Sequence, residues 1–431
     1  MRVFKFGGAS VKDPDSVKNV ARIIRDHHGT SPLVVVLSAM GKTTNALERL
    51  CANFMEGNRE AMMEEFTQIK NRHMEIAGEL FPNRTHPVFN ALEQLFYHLY
   101  YYISEKPGNN YNYEYDRIVS TGEMVSTQIL STYLTETGLS NRLYPARKLI
   151  ITDASFRDAR VDWIMSVQTI QEQLAPFLKP GTGQNTPSLV ITQGFIGGTP
   201  QGFTTTLGRE GSDYTAAILG YALQAREVVI WKDVPGLLNA DPKLLDNYVL
   251  LENISYQEAL ELSYYGATVI HPKTINPLLS KRIPLKVRSF EKPESGGSVI
   301  NENTSNDGAW PSYIFKFNQV LVSILPKDFS FIAEDNLSRI FADFARHSVK
   351  INLMQNSAIS FSVCFDFDKT KTPALLKDLE QYFTIRYNNG LQLITVRHYE
   401  NARLDDLVKD REIVMEQKSR TTLQLLVRKK Y

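Results

Sequence analysis

The 431-residue sequence predicts an α/β protein: a mainly parallel sheet flanked by helices, then a smaller ferredoxin-like unit. Three observations carry this. Continuous β-branched runs such as "PLVVVLSAM" (32–40) mark strands buried on both faces. They alternate with segments whose apolar residues recur at helical spacing, the order that builds a parallel sheet. Beyond about residue 312 the pattern changes to β-α-β-β-α-β, the ferredoxin-like order.

The elements follow in chain order. "RVFKF" (2–6) is a short strand with period-2 alternation. "DPDSVKNVARIIRDHH" is a helix, with Pro14 at an early position and Val17, Val20, Ala21 and Ile24 on one face. From about 44 to 136 the pattern is almost wholly helical and reads as an insertion, its last helix "GEMVSTQILSTYLTETG" stopped at Gly138. "PSLVITQGFIGG" (187–198) resumes the buried-strand pattern. "SDYTAAILGYALQA" is a helix, "EVVIWKDVPG" a strand and turn, "YQEALELSYYG" a helix and "IPLKVRSF" (283–290) a strand. The stretch 291–312 has Pro, Gly, Ser and Asn at loop density and reads as a boundary. "VLVSIL" through "LQLITVRH" supplies the ferredoxin-like unit, and "EIVMEQKSRTTLQLLVR" (412–428) reads as a hairpin.

Composition narrows the function. A formal net charge of +1 gives no electrostatic footprint for nucleic acid or an anionic membrane. Two cysteines, Cys51 and Cys364, fit a reducing compartment without a disulfide framework. "MRVFKFGG" lacks the apolar core of a signal peptide, and no apolar run nears the ~20 residues of a membrane span. The expectation is a cytoplasmic protein.

Candidate chemistry lies in loops after predicted strands, where ligands of open α/β sheets bind. Lys5-Phe6-Gly7-Gly8 ends the first strand, Ser38-Ala39-Met40-Gly41 the second and Gln193-Gly194 a third. Paired glycines let the backbone approach a ligand, and a helix start offers free N–H groups to an anion. A tight turn at Gly7-Gly8 with Lys5 guarding an edge strand accounts for the same residues. In "TLGREGSDYTAA" (206–217), helix capping accounts for Ser212 and Asp213. An anion site would in addition give work to Arg209 and the glycines. Glu123 in "STGEMVS" suits a helix start for the dipole alone. "WKDVPGLLNADPK" (231–243) is either a polar loop or a nucleotide or metal site. Gly41-Lys42-Thr43 imitates the end of a Walker A loop, but Val36 stands where that motif needs glycine. Kinase Gly-rich, His-Arg-Asp and Asp-Phe-Gly signatures are missing. His271 has no second ligand at metal spacing.

Taken together and in order, "KFGGASV", "VVVLSAMGKTTN", "STGEMVS", "VITQGFIG", "TTTLGREGSDYTAA", "WKDVPGLLNADPK" and "GATVIHP" resemble the aspartate kinases of the amino-acid kinase family. The C-terminal unit is similar to the ACT regulatory domain that follows the kinase there. The resemblance implies a catalytic domain over 1–295, a linker over 296–312 and an ACT region over 313–431. The latter would hold one complete unit at about 318–398 and an abbreviated second unit from 313–317 and 412–431. It implies ATP- and Mg²⁺-dependent phosphorylation of the β-carboxylate of L-aspartate, in a homodimer, as the entry to lysine, threonine and methionine synthesis. A glutamate or N-acetylglutamate kinase of the same fold, or a non-catalytic amino-acid sensor, is the alternative.

The resemblance also assigns roles. Lys5 would hold the transferring phosphoryl group, with Gly7 and Gly8 lining its path, and Asp213 would be the catalytic acid. Arg209 would bind the α-carboxylate of aspartate and Glu123 its ammonium, with Ser38, Thr44 and Ser212 hydrogen-bonding the substrate. Lys232, Asp233 and Lys243 would lie on the nucleotide side. Asn352, Gln355, Asn356 and Ser357 would offer an effector site for lysine or threonine. No metal ligand is assigned. Ala9, Glu210, Leu238 and Thr268 depart from residues common in the family: threonine, glycine, tyrosine and lysine respectively.

Overall fold

The computed structural model describes residues 1–29, 31–178, 189–267, 270–328, 330–402 and 404–429. The chain divides into two compact units. The first is built from residues 1–237, 250–260 and 270–306, the second from 238–249, 261–267 and 307–429.

In the first unit, strands β1 (Arg2–Phe6), β2 (Leu33–Leu37), β3 (Arg142–Tyr144) and β4 (Leu189–Gln193) precede a small hairpin, β5 (Ile196–Gly198) and β6 (Thr204–Thr206). Then come β7 (Val228–Lys232), β8 (Asn253–Ser255), β9 (Leu285–Ser289) and β10 (Ser298–Asn301). The main sheet runs β3-β4-β2-β1-β7-β9-β10-β8. Every pairing is parallel except β9 with β10. β2 and β4 are buried along their whole length, as their β-branched runs predict.

Helix α1 (Pro14–His28) is capped by Asp13, whose carboxylate accepts from Ser16 N at 2.8 Å. The expected insertion is five helices: α2 (Thr43–Glu56), α3 (Arg59–Leu80), α4 (Pro87–Ser104), α5 (Tyr111–Val119) and α6 (Thr121–Glu136). Leu47, Phe96, Ile129 and Leu130 from these helices join Phe4, Val35, Ile191 and Trp231 from the sheet in one continuous core. Burying such residues contributes about 1.5–3 kcal/mol each. Helices α7 (Trp163–Leu178), α8 (Gly211–Ala222), α9 (Tyr256–Tyr265) and α10 (Pro272–Ser280) complete the order to β10. His271 caps α10, its Nδ1 accepting from Lys273 N at 3.2 Å.

Two expectations differ from what is seen. The stretch expected as a linker from 296 contains β10, which bonds β9 and β8 and so belongs to the first sheet. Its four residues sit among glycines and polar residues, which hid the strand. In the second unit, the 313–317 segment and the following "VLVSIL" form one long strand, β11 (Ser312–Pro326), irregular between Lys316 and Leu321. α11 (Glu334–Arg346), β12 (Ile351–Asn356), β13 (Phe361–Asp366), α12 (Lys371–Glu380) and β14 (Phe383–Arg397) follow. A short helix, α13 (Leu404–Val408), leads to the hairpin β15 (Arg411–Lys418) and β16 (Thr422–Lys429). The sheet order is β12-β13-β11-β14-β16-β15, so the complete and abbreviated units share one six-stranded sheet.

Candidate active site

The carboxyl ends of the central strands converge on one cavity of about 470 Å³. It is lined by Lys5 of β1, Ser38 after β2, Phe195 after β4, Lys232 of β7, residues 208–213 at the start of α8, and Thr44, Glu48, Tyr115, Glu123 and Arg157. β1 pairs with β2 and β7 on its two sides. The chain turns one way from β1 to β2 and the other way from β7 to β9, the kind of reversal that opens a crevice.

Asp213 is the electrostatic centre. It is 2% exposed, with Oδ1 2.7 Å from Lys5 Nζ and Oδ2 3.2 Å from Lys232 Nζ. Burial alone would raise its pKa, but the two ammonium groups hold it below the ordinary carboxylate value. One carboxylate between two ammonium groups leaves this triad with one positive charge in excess, an arrangement able to offset the charge of an anion. The resemblance placed Lys232 on the nucleotide side; the structure brings it directly to Asp213.

Glu123 enters from the first turn of α6 and is 3% exposed. Oε1 accepts from Ala39 N at 3.3 Å, while the buried Oε2 has no partner among the described residues. Burial pushes its pKa up to about 8. A buried carboxyl with an unused oxygen facing a cavity is a socket for a cation or hydrogen-bond donor.

Backbone geometry explains two sequence features. Glu210 lies at φ 53°, ψ 29°, the left-handed region that favours glycine. This is the physical reason a relative would carry glycine there. Its Oε2 is also buried without a partner among the described residues, and burial raises its pKa, with Lys232 the main opposing charge. A Cβ on Gly194 would fall 2.5 Å from Ser212 Oγ, so only glycine lets the end of β4 meet the start of α8.

Of the residues the sequence singled out, Lys5, Ser38, Thr44, Glu123, Arg209, Ser212, Asp213 and Lys232 line the cavity together. Gly7 lies beside the Lys5 ammonium, where an added Cβ would be 3.6 Å from Nζ. A Cβ on Gly8 would stand 2.8 Å from the Ala39 and Gly41 carbonyls, so that glycine lets two loops touch. Asp233 is exposed and outside the lining. Lys243 is exposed and belongs to the second unit, its N–H donating to Asp241 Oδ1. Thr268 lies outside the described residues. Ala9 packs against the core, and Leu238 is half-buried in the second unit.

The effector candidates are split. Asn352 accepts from Lys316 Nζ at 2.7 Å and donates to Gln319 at 2.8 Å, so both ends of its amide are used. Gln355 and Asn356 are exposed at the end of β12, and Ser357 bonds Ser360 in the turn beyond.

Sequence reasoning missed Glu48, Tyr115, Arg157 and Asp116. Tyr115 donates to Glu48 at 2.7 Å. Asp116 is fully buried and accepts from Arg157 N, Thr206 N and Thr206 Oγ1. Burial raises its pKa to about 6 against the pull of those bonds. These residues come from the insertion and a distant loop, and no local motif joins them.

Residues 1–289 match the family model described as "Amino acid kinase family". Lysine-sensitive aspartokinase 3 of Escherichia coli (strain K12) is 32% identical over 91% of this chain and 86% of its own length. Aspartokinase 1, chloroplastic, of Arabidopsis thaliana is 31% identical over 91% of this chain and 70% of its own. The bifunctional aspartokinase/homoserine dehydrogenase of Buchnera aphidicola is 28% identical, and the chain spans 47% of its length. A crystal structure of E. coli aspartokinase III in complex with aspartate and ADP superposes with a TM-score of 0.81 at 30% identity, covering 99% of this chain and 96% of that one. A second, in complex with lysine and aspartate, gives 0.80 at 29% identity, covering 99% and 95%.

Proposed function

The chain belongs to the amino acid kinase family, and from that premise we propose that it is an aspartate kinase, transferring the γ-phosphoryl group of ATP to the β-carboxylate of L-aspartate. The observation that carries the substrate is Glu123: a buried carboxyl with one oxygen unpartnered among the described residues, in the same cavity as Arg209 and the Lys5–Asp213–Lys232 cluster. An ammonium, a carboxylate and a phosphoryl group each find a partner there. The names and ligands of the E. coli relatives support the same substrate pair.

The acceptor carboxylate, with a reference pKa near 3.9, is already anionic at pH 7. No general base is needed. A carboxylate oxygen attacks the γ-phosphorus, the bond to the bridging oxygen breaks, and ADP leaves. The difficulty is bringing two anions together. Lys5 and Lys232 offset the charge on the phosphoryl oxygens, and Asp213 fixes both ammonium groups in place. The amide groups at the start of α8 add their dipole. Among the described residues no group of three or more His, Cys, Asp or Glu could hold a metal ion. Mg²⁺ enters the reading as part of the metal–nucleotide substrate, an ion that binds through substrate phosphates and one or two carboxylates.

Regulation by lysine is part of the proposal, by analogy with the lysine-sensitive E. coli relative. Gln355, Asn356 and Ser357 are the contacts left to an effector, since the Asn352 amide is engaged by Lys316 and Gln319. No described helix is long and apolar enough to cross a membrane. With two buried free cysteines, a cytoplasmic homodimer completes the reading.

The test is hydroxylamine trapping with ATP and Mg²⁺ against L-aspartate, L-glutamate, N-acetylglutamate and UMP. An acyl hydroxamate from aspartate alone, lost in Lys5→Ala, is expected. ATP turnover with another acceptor would replace the substrate. Silence with every acceptor would favour a sensor.

A further inference from the structure

The cavity contains a second guanidinium that no motif announces. Arg157 and the preceding Phe156 both have positive φ, 69° and 22°. Two consecutive side-chain-bearing residues in that region are costly, and such strain persists only where surroundings impose it.

Asp116 imposes it. Its two oxygens accept from Arg157 N at 3.0 and 2.9 Å. The same carboxylate accepts from Thr206 N at 2.9 Å and Thr206 Oγ1 at 2.6 Å. Thr206 ends β6, three residues before Arg209. One buried acid thus pins the loops that carry both arginines of the cavity.

The Arg157 guanidinium lies 4.7 Å from the centre of the Tyr115 ring and 5.6 Å from that of Tyr111. Aromatic faces support a cation without neutralising it. Among the described residues Arg157 makes no ion pair. Lys5 and Lys232 share Asp213, whereas among the described residues neither Arg157 nor Arg209 is closed in an ion pair, although the Arg157 charge is felt by Asp116 and that of Arg209 by Glu210.

We propose that Arg157 is a specificity-determining residue that joins Arg209 in gripping the non-reacting carboxylate of the acceptor. The inference rests on the aspartate-kinase reading. Its chemical reason is that a guanidinium clamped on the attacking carboxylate would tie up the lone pairs the reaction needs. The α-carboxylate does not react and can take both forks. The pocket then selects an amino acid carrying a second, free carboxylate.

Arg157→Gly is the informative variant, because glycine suits φ 69° and so removes the side chain without adding backbone strain. Steady-state kinetics with L-aspartate should show KM for aspartate raised at least tenfold and KM for ATP within twofold. The preference for L-aspartate over its α-amide, which keeps the β-carboxylate, should shrink at least tenfold. Arg157→Lys should fall between, and the melting temperature of Arg157→Gly should not drop. Unchanged aspartate KM and unchanged preference overturn the inference, as does a parallel loss of ATP affinity and thermal stability. Wild-type protein that forms no aspartyl hydroxamate overturns the functional reading and the inference with it. Wild-type activity with an indifferent Arg157 variant overturns only the inference.

Discussion

Lys5 and Asp213 stand 2.7 Å apart, one from the first strand of the chain and the other from a helix more than 200 residues later. The contact joins the first predicted loop to the stretch "TLGREGSDYTAA". Because Lys232 meets the other oxygen at 3.2 Å, the group is a triad of two cations and one anion.

Asp213→Asn should therefore act twice. It removes the carboxylate that pairs the buried Lys5 ammonium, and breaking a buried pair of this kind costs about 3–5 kcal/mol. Loss of the charge that orients Lys5 should lower kcat by about 10²–10³-fold. The acid dependence has a definite sign. The native pKa of Asp213 is depressed, so its contribution is present above about pH 4 and is lost as pH falls through the native value. Chemical denaturation of both proteins from pH 7 downward should show the wild-type advantage shrinking at the acid end. An advantage constant with pH would refute the pairing.

Glu123 has the opposite sign. Its native pKa of about 8 lies above the ordinary 4.5. The native state therefore holds a proton that the unfolded chain releases, and stability falls as pH rises from about 4.5 to 8. Glu123→Gln should flatten that limb and lose little stability at pH 9. In the wild type at pH 7, an ammonium docking on Glu123 should expel its proton. Calorimetry in buffers of different ionisation enthalpy should show aspartate binding release close to one proton, and Glu123→Gln should show none.

Arg209→Lys tests the carboxylate grip. Lysine keeps the charge but cannot supply the two-pronged bond. Aspartate KM should rise at least tenfold while KM for ATP stays within twofold. A near-normal aspartate KM would remove Arg209 from substrate binding.

Gly194→Ala tests packing beneath the site. The new methyl would overlap Ser212, so the start of α8 must move. Overpacking of this kind costs about 1–3 kcal/mol. The melting temperature should fall, and activity should fall further than an equal loss of stability elsewhere produces. Full activity would mean the helix start tolerates displacement.

Much of the site was legible because its parts are local. β-branched runs must be strands buried on both faces, as in β2 and β4. Loops that follow such strands must face the carboxyl edge of the sheet. That reasoning alone reached Lys5, Ser38 and Arg209, and the family resemblance added their partners. It did not reach β10, because four residues among polar neighbours carry no periodicity. Nor did it separate Lys243 from Lys232. Both sit in one motif, yet only Lys232 lines the cavity.

The layered architecture, the order of the strands in the chain and the chemistry available at their ends follow from the amino-acid order alone. These depend on hydrophobic period and residue type, which are local properties. Tertiary structure decided which charges meet. Asp213 could have been a plain helix cap; folding places it between two lysines and depresses its pKa. Glu123 could have been an acid favoured by a helix dipole; burial holds its proton to about pH 8. Asp116 and Arg157 had no reading at all, because a hydrogen bond across 41 residues leaves no trace in local sequence. Dielectric surroundings and long-range contacts are set only when the chain closes on itself, and here they turn ordinary side chains into a site.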